Sequence, residues 1–158
     1  METKLTVSPE TNPGQQEVFT GFETIRKMLA ELKIGYERWQ AEKPLSETAT
    51  PEEVAAAYRT SIDKILSQGY KTFDVVSLHP EAPNAAEARA RFINEHTHGE
   101  DEVRFFVDGS GMFYIRAAGK VFMLLCTKGD FINLPAGTTH WFDMGPKPFF
   151  KAIRVFNN

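Results

Sequence analysis

Apolar positions along this 158-residue chain change their period partway through. In the first half, Ile25, Met28, Leu29 and Leu32 recur at helical spacing. They follow Thr20-Gly21-Phe22-Glu23, which has capping-box spacing, and Gly35 ends the run. A second start is predicted at Thr50-Pro51-Glu52-Glu53, which combines a cap, a proline suited to the first turn and a reciprocal glutamate. Val54, Tyr58, Ile62 and Ile65 then make one apolar stripe that stops near Gly69. A short third helix is predicted from about Asn84 to Ile93, on its alanines and the box spacing from Asn84 to Glu87. That helix delivers the chain to His96. The segment Gln40 to Ala49 reads as a loop.

From Phe73 onward the texture becomes short runs of valine, isoleucine and phenylalanine, separated by Asp108-Gly109, Ala118-Gly119, Lys128-Gly129 and Pro135-Ala136-Gly137. They predict strands Phe73 to Leu78, Glu102 to Val107, Met112 to Arg116, Val121 to Cys126, Phe131 to Leu134, Thr139 to Phe142 and Phe150 to Phe156. Gly145-Pro146-Lys147-Pro148 predicts a turn. Short strands joined by glycine turns suggest a small antiparallel barrel or sandwich, mainly β (α+β), with the early helices packed outside. One domain over residues 1–158 is expected, with a helical part at about 20–95 and a barrel core at about 73–156. No internal repeat or low-complexity segment is visible.

Composition narrows the class. Apolar residues make up 42% of the chain, enough to build a core. The net charge of −3 arises from interspersed acids and bases, with no basic block of the kind that tracks phosphates, so nucleic acid is not an expected partner. Cys126 is the one cysteine, which precludes an intrachain disulfide and points to a reducing, cytoplasmic compartment. It sits in the apolar run Val121-Phe122-Met123-Leu124-Leu125-Cys126 and reads as a small buried hydrophobe. Residues Met1 to Glu10 lack the apolar core of a secretory signal, and no run approaches the roughly 20 apolar residues that cross a bilayer, so no membrane partner is expected. A monomer is expected, though nothing in the composition reports on association.

The chemistry concentrates in His96-Thr97-His98-Gly99-Glu100-Asp101-Glu102, answered by His140 after Pro135-Ala136-Gly137-Thr138-Thr139. Three imidazoles and a carboxylate suit a borderline divalent transition metal better than magnesium or calcium, which prefer oxygen shells. Side chains alternate along a strand, so His96, His98, Glu102 and Arg104 share a parity, as do His140 and Phe142 on theirs. A barrel interior lets such groups converge and leaves open coordination positions for substrate. A lone histidine pair in a polar loop is more often solvated, but three of the chain's four histidines fall at these places. The fourth, His79, precedes Pro80 and reads as solvated. Glu100 and Asp101 are either a solvated charge run or groups that hold ligand imidazoles by hydrogen bonds, the bland reading being preferred for Asp101.

The spacing His-x-His, three residues, Glu102, six residues, Gly109 resembles the first cupin motif, and Gly129, five residues, Pro135-x-Gly137, two residues, His140 resembles the second. Two positions depart from that pattern, Ala90 for a glycine and Met144 for an asparagine, both away from the ligands. The fuller string Glu95 to Val107, with Pro135-Ala136-Gly137-Thr138 and His140-Trp141-Phe142-Asp143-Met144-Gly145, resembles the acireductone dioxygenases of methionine salvage. Tyr36-Glu37-Arg38-Trp39 and Ala152-Ile153-Arg154-Val155-Phe156 fit the same family. Members usually continue past the equivalent of Phe156-Asn157-Asn158, which bears on closure of the active-site mouth.

The resemblance implies a cupin-type antiparallel β-barrel, a jelly roll, that cleaves an acireductone with molecular oxygen. It implies one iron(II) or nickel(II) per chain, held by His96, His98, Glu102 and His140. With iron the implied products are formate and the keto acid precursor of methionine; with nickel they are formate, carbon monoxide and methylthiopropionate. The substrate binds as an anion, which makes Arg104 a candidate to stabilise its charge and Arg154 a possible helper. Phe92 and Phe142 are candidates for an apolar wall around the methylthio tail. The bland alternatives are structural salt bridges for the arginines and core packing for the phenylalanines.

Two rival functions remain at this stage. An isomerase-type cupin acting on a sugar phosphate would want several basic groups near the ligands, where only Arg104 and Arg154 fall. A non-catalytic cupin that binds a small ligand would show indifference to added iron or nickel. Ligand types alone do not select among iron, nickel, cobalt and manganese.

Overall fold

A computed structural model describes residues 2–41, 43, 45–81, 83, 86–87, 101–145 and 148–156. Its described elements are β1 (Lys4–Pro9), β2 (Glu17–Thr20), α1 (Phe22–Ala30), β3 (Gly35–Arg38), α2 (Pro51–Ala57), α3 (Arg59–Leu66), β4 (Thr72–Leu78), β5 (Glu102–Ala117), β6 (Lys120–Thr127), β7 (Asp130–Leu134), β8 (Thr139–Asp143) and β9 (Phe150–Phe156). The strands pair antiparallel throughout, in a curled sheet organised around β5. The first half of β5 lies between β7 and β9, with Arg104 opposite both Ile132 and Arg154. Its second half lies between β6 and β8, with Phe113 opposite both Leu124 and Phe142. The result is the jelly-roll arrangement of a cupin.

The sequence predicts two strands broken by a turn at Asp108-Gly109, whereas β5 runs unbroken over 16 residues. The glycines bend the strand instead of ending it. The pairing with β9 slips between Phe106 and Asp108, a bulge that increases local twist. Gly109 has φ +70°, and a Cβ there would lie 2.1 Å from the Phe149 carbonyl oxygen. At Gly111 a Cβ would lie 2.1 Å from Cζ of Phe142, so the missing side chain is the space that ring occupies. The other glycine signals do make turns: Ala118 and Gly119 take left-handed φ of 54° and 73° between β5 and β6, and Gly129 has φ 98° between β6 and β7.

The first half departs more from a helical reading. Thr20 belongs to β2, so no side chain caps α1 and Gly21 takes the N-cap with φ 91°. Thr50 does form the reciprocal capping box with Glu53. The stripe Val54, Tyr58, Ile62 and Ile65 is divided between α2 and α3, because Tyr58 leaves helical geometry at φ −108° and ψ 24°. The short strands β1, β2 and β3 were not legible as such. They contribute to the sheet edges, β1 pairing with β6 and β3 with β7. Most of the helix predicted from Asn84 to Ile93, with Pro146 and Lys147 of the predicted turn, lies outside the described residues.

Burial divides the strands by parity. Phe106, Phe113, Ile115, Phe122, Leu124, Cys126, Ile132, Leu134, Phe142, Phe150 and Ala152 fill the interior of the curl. The opposite face of β5, β7 and β9 buries Val103, Phe105, Val107, Phe131, Ile153 and Val155 against Val54, Tyr58, Ile62 and Ile65 of α2 and α3. Helices α2 and α3 therefore cover one outer face, as expected from their amphipathic stripe, whereas α1 packs Ile25 and Leu29 into the interior cluster. Two buried polar groups pin the remaining edges. Asp130, fully buried, accepts from Thr3 Oγ1, the Tyr36 hydroxyl, Arg38 and the Thr127 backbone N–H. Lys151 donates to the Glu47 carbonyl at 2.8 Å and so ties the loop before α2 to β9. Among the described residues no helix is long and apolar enough to cross a membrane.

Candidate metal centre

Alternation on the first half of β5 sends Glu102 and Arg104 to the interior, and alternation on β8 sends His140 and Phe142 there too. β8 pairs with the second half of β5, and the bend at Gly109–Gly111 lets the first half curl so that Glu102 and His140 come into contact although 38 residues separate them. Glu102 Oε2 lies 2.6 Å from His140 Nε2, with both side chains below one-tenth exposure. The other oxygen, Oε1, accepts from Arg104 Nε at 2.9 Å and pairs with its terminal nitrogen at 2.6 Å. The guanidinium is sandwiched against aromatic faces, 4.8 Å from the Phe142 ring centroid and 5.1 Å from that of Phe113. Burial, joined by the like charge of Arg154 and opposed by Glu102, holds the Arg104 guanidinium below its ordinary pKa.

The donor set fits a transition metal. His140 Nδ1 lies 2.8 Å from the Thr138 carbonyl oxygen, which can only accept, so the ring proton belongs on Nδ1. Nε2 then directs a lone pair at the carboxylate Oε2. Two lone pairs aimed at each other over 2.6 Å call for a positive centre between or beside them, either a proton or a cation. A backbone carbonyl that fixes the tautomer of an imidazole is also the usual support of a metal-ligating histidine. Thr138 is itself fixed, its hydroxyl and backbone N–H both donating to the Pro135 carbonyl in a turn where Gly137 takes φ 84°.

His96, His98, Glu100 and Phe92 lie outside the described residues, and among the described residues no group of three or more His, Cys, Asp or Glu converges. Phe142 is buried in the interior, against Phe106, Phe113 and Phe150 as well as under Arg104. It is therefore a core residue that also supports the Arg104 guanidinium. Arg154 shares the interior face with Arg104, its cross-strand partner, and forms a bidentate pair with Asp74 of β4. Cys126 is buried, with its thiol pushed well up chiefly by desolvation, which makes it an inert filler.

Asp101, for which the sequence favours a solvated charge run, instead accepts from the Ala136 backbone N–H at 2.9 Å and so joins the entry of β5 to the turn before His140. One contributor escaped the sequence reading: Asp74 holds Arg154, a pairing set by the register of β4 against β9 and marked by no motif.

Comparison with known proteins adds an independent line. Residues 5–158 match the model of the ARD/ARD′ family. The chain is 52% identical over 158 residues to an acireductone dioxygenase of Pseudomonas syringae pv. syringae (strain B728a), covering 99% of this chain and 87% of that protein. It is 47% identical to an acireductone dioxygenase of Alcanivorax borkumensis, over 100% of this chain and 88% of the relative. Among solved structures it superposes on an acireductone dioxygenase from Bacillus anthracis with a cadmium ion in its active centre. There the TM-score is 0.86 and the identity 28%, over 99% of this chain and 94% of that one.

Proposed function

The chain belongs to the ARD/ARD′ family, and on that premise we propose that it cleaves 1,2-dihydroxy-3-keto-5-methylthiopentene with molecular oxygen as a step of methionine salvage. His96, His98, Glu102 and His140 would hold one iron(II) or nickel(II), which would supply Lewis-acid chemistry toward the acireductone's oxygens. The chain's own groups do the rest. Arg104 offsets the negative charge of the enediolate in a site shielded from water, where such an interaction is strong. Through its two bonds to Glu102 Oε1 it also fixes the carboxylate plane and leaves Oε2 aimed at His140. The Thr138 carbonyl keeps the proton of His140 on Nδ1, so Nε2 would offer its lone pair to the ion. Phe142, together with Phe92, forms an apolar wall for the methylthio tail.

One observation carries this reading: a carboxylate oxygen and an imidazole nitrogen meet at 2.6 Å inside a cupin barrel, directly beneath a buried guanidinium. With iron(II) the products are formate and 4-methylthio-2-oxobutanoate; with nickel(II) they are formate, carbon monoxide and 3-methylthiopropionate. The test is anaerobic reconstitution with either metal, addition of the acireductone and oxygen, and product analysis. Carbon monoxide from the nickel form alone is the expected result. Identical products from both forms would overturn the metal-dependent outcome, and no oxygen uptake by either form would overturn the function.

A further inference from the structure

Cross-strand register lines up four interior-facing residues in one row: Ile132 of β7, Arg104 of β5, Arg154 of β9 and Asp74 of β4. Residues directly opposite in an antiparallel pair project from the same face. Exposure rises along the charged part of this row, from 3% for the Arg104 side chain to 23% for Arg154 and 45% for Asp74. The row therefore runs from the buried centre to the solvent rim. Arg154 binds Asp74 through two parallel bonds, Nε to Oδ1 at 2.8 Å and a terminal nitrogen to Oδ2 at 2.5 Å. Such a fork fixes the plane of a guanidinium as well as its place.

We infer that Asp74 is a positioning residue for the acireductone site: its carboxylate holds the Arg154 guanidinium beside Arg104, so that an anionic substrate entering at the rim meets two oriented cations. This inference rests on the function proposed above. Arg104 and Arg154 stand directly opposite each other on neighbouring strands and project from the same face. Two like charges on neighbouring strands repel, and an unrestrained arginine at a rim would turn to solvent. Asp74 opposes that turn from the far side of Arg154. At 45% exposure its own charge is screened, so its effect on substrate is exerted through the geometry of Arg154 more than through the field it adds.

The test uses the iron-loaded full chain and the same acireductone, with KM and kcat from oxygen uptake and affinity from anaerobic quenching of tryptophan fluorescence. Asp74→Asn keeps the side-chain shape and removes the charged fork. We expect KM and the anaerobic dissociation constant to rise about tenfold while kcat stays within about twofold, the pattern of lost binding without lost chemistry. Asp74→Glu, which retains a carboxylate, is expected to recover part of the loss. In an Arg154→Gln background, Asp74→Asn is expected to change KM by less than about twofold, because the group it acts through is already gone. Thermal melts report folding separately. An unchanged or lower KM for folded Asp74→Asn, or the same rise in both backgrounds, overturns the positioning role while leaving the function intact. A wild-type enzyme that neither binds nor consumes the acireductone overturns the function and this inference with it.

Discussion

Arg104→Met probes both the stability and the chemistry of the centre. Arg104 is 3% exposed, donates twice to Glu102 Oε1 and lies over the rings of Phe142 and Phe113. Methionine keeps most of the stem volume, so the substitution deletes the charge without opening a large cavity. Glu102 then remains buried without its guanidinium. Breaking a buried ion pair by removing one partner costs about 3–5 kcal/mol. For a chain of this size that corresponds to a fall in Tm of about 6–20 °C. The loss applies to the metal-free protein. A bound divalent ion beside Glu102 compensates the carboxylate, so the metal-loaded variant should lose less. Urea unfolding followed by far-UV circular dichroism, with and without metal, measures the difference, and oxygen uptake measures turnover, expected to fall about 100-fold. An unfolding free energy within about 0.5 kcal/mol of wild type in the metal-free state would refute the buried-pair argument. Unchanged turnover would refute the charge-stabilising role.

The bend in β5 and the pinned sheet edge give two more expectations. Gly111→Ala places a Cβ inside the van der Waals space of the Phe142 ring, and since that ring underlies Arg104, we expect a loss of about 1–3 kcal/mol in urea unfolding together with altered near-UV circular dichroism. Wild-type values for both would show that the ring has room to move. Tyr36, whose hydroxyl donates to buried Asp130, has its pKa raised by burial and by the Asp130 charge to about 12. A raised phenol pKa favours the protonated form in the folded state. Its contribution is complete below the unfolded value near 10 and is lost as pH rises from there through about 12. Subtracting the ultraviolet titration of Tyr36→Phe from that of wild type should show a phenol ionising near 12, and one titrating at about 10 would contradict the burial argument.

The strands of the second half were legible because their period-2 runs end at glycines that do take positive φ, as at Gly119 and Gly129. Gly109 carries the same signal and means something else, a bulge that lets β5 serve two halves of the curl, and only its pairing with β9 distinguishes the two. The edge strands were hidden because β2 and β3 are four residues long and largely exposed, so they carry no core-facing alternation to read. The shared interior placement of Glu102, Arg104, His140 and Phe142 was legible because parity on two strands fixes the face each presents. Asp74 and the Thr138 carbonyl were not, since one is set by strand register and the other by a backbone group common to every residue.

Metal content of the purified chain tests the central claim most directly, namely that Glu102 and His140 meet in the barrel interior to hold an ion. Wild type and His140→Ala are loaded anaerobically with iron(II), desalted and analysed for iron per folded chain, with circular dichroism as the folding control. We expect close to one ion per chain in wild type and loss of most of it in the variant, because Nε2 is the atom that Thr138 orients toward Glu102. Equal iron in both folded proteins would contradict the account and place the metal elsewhere.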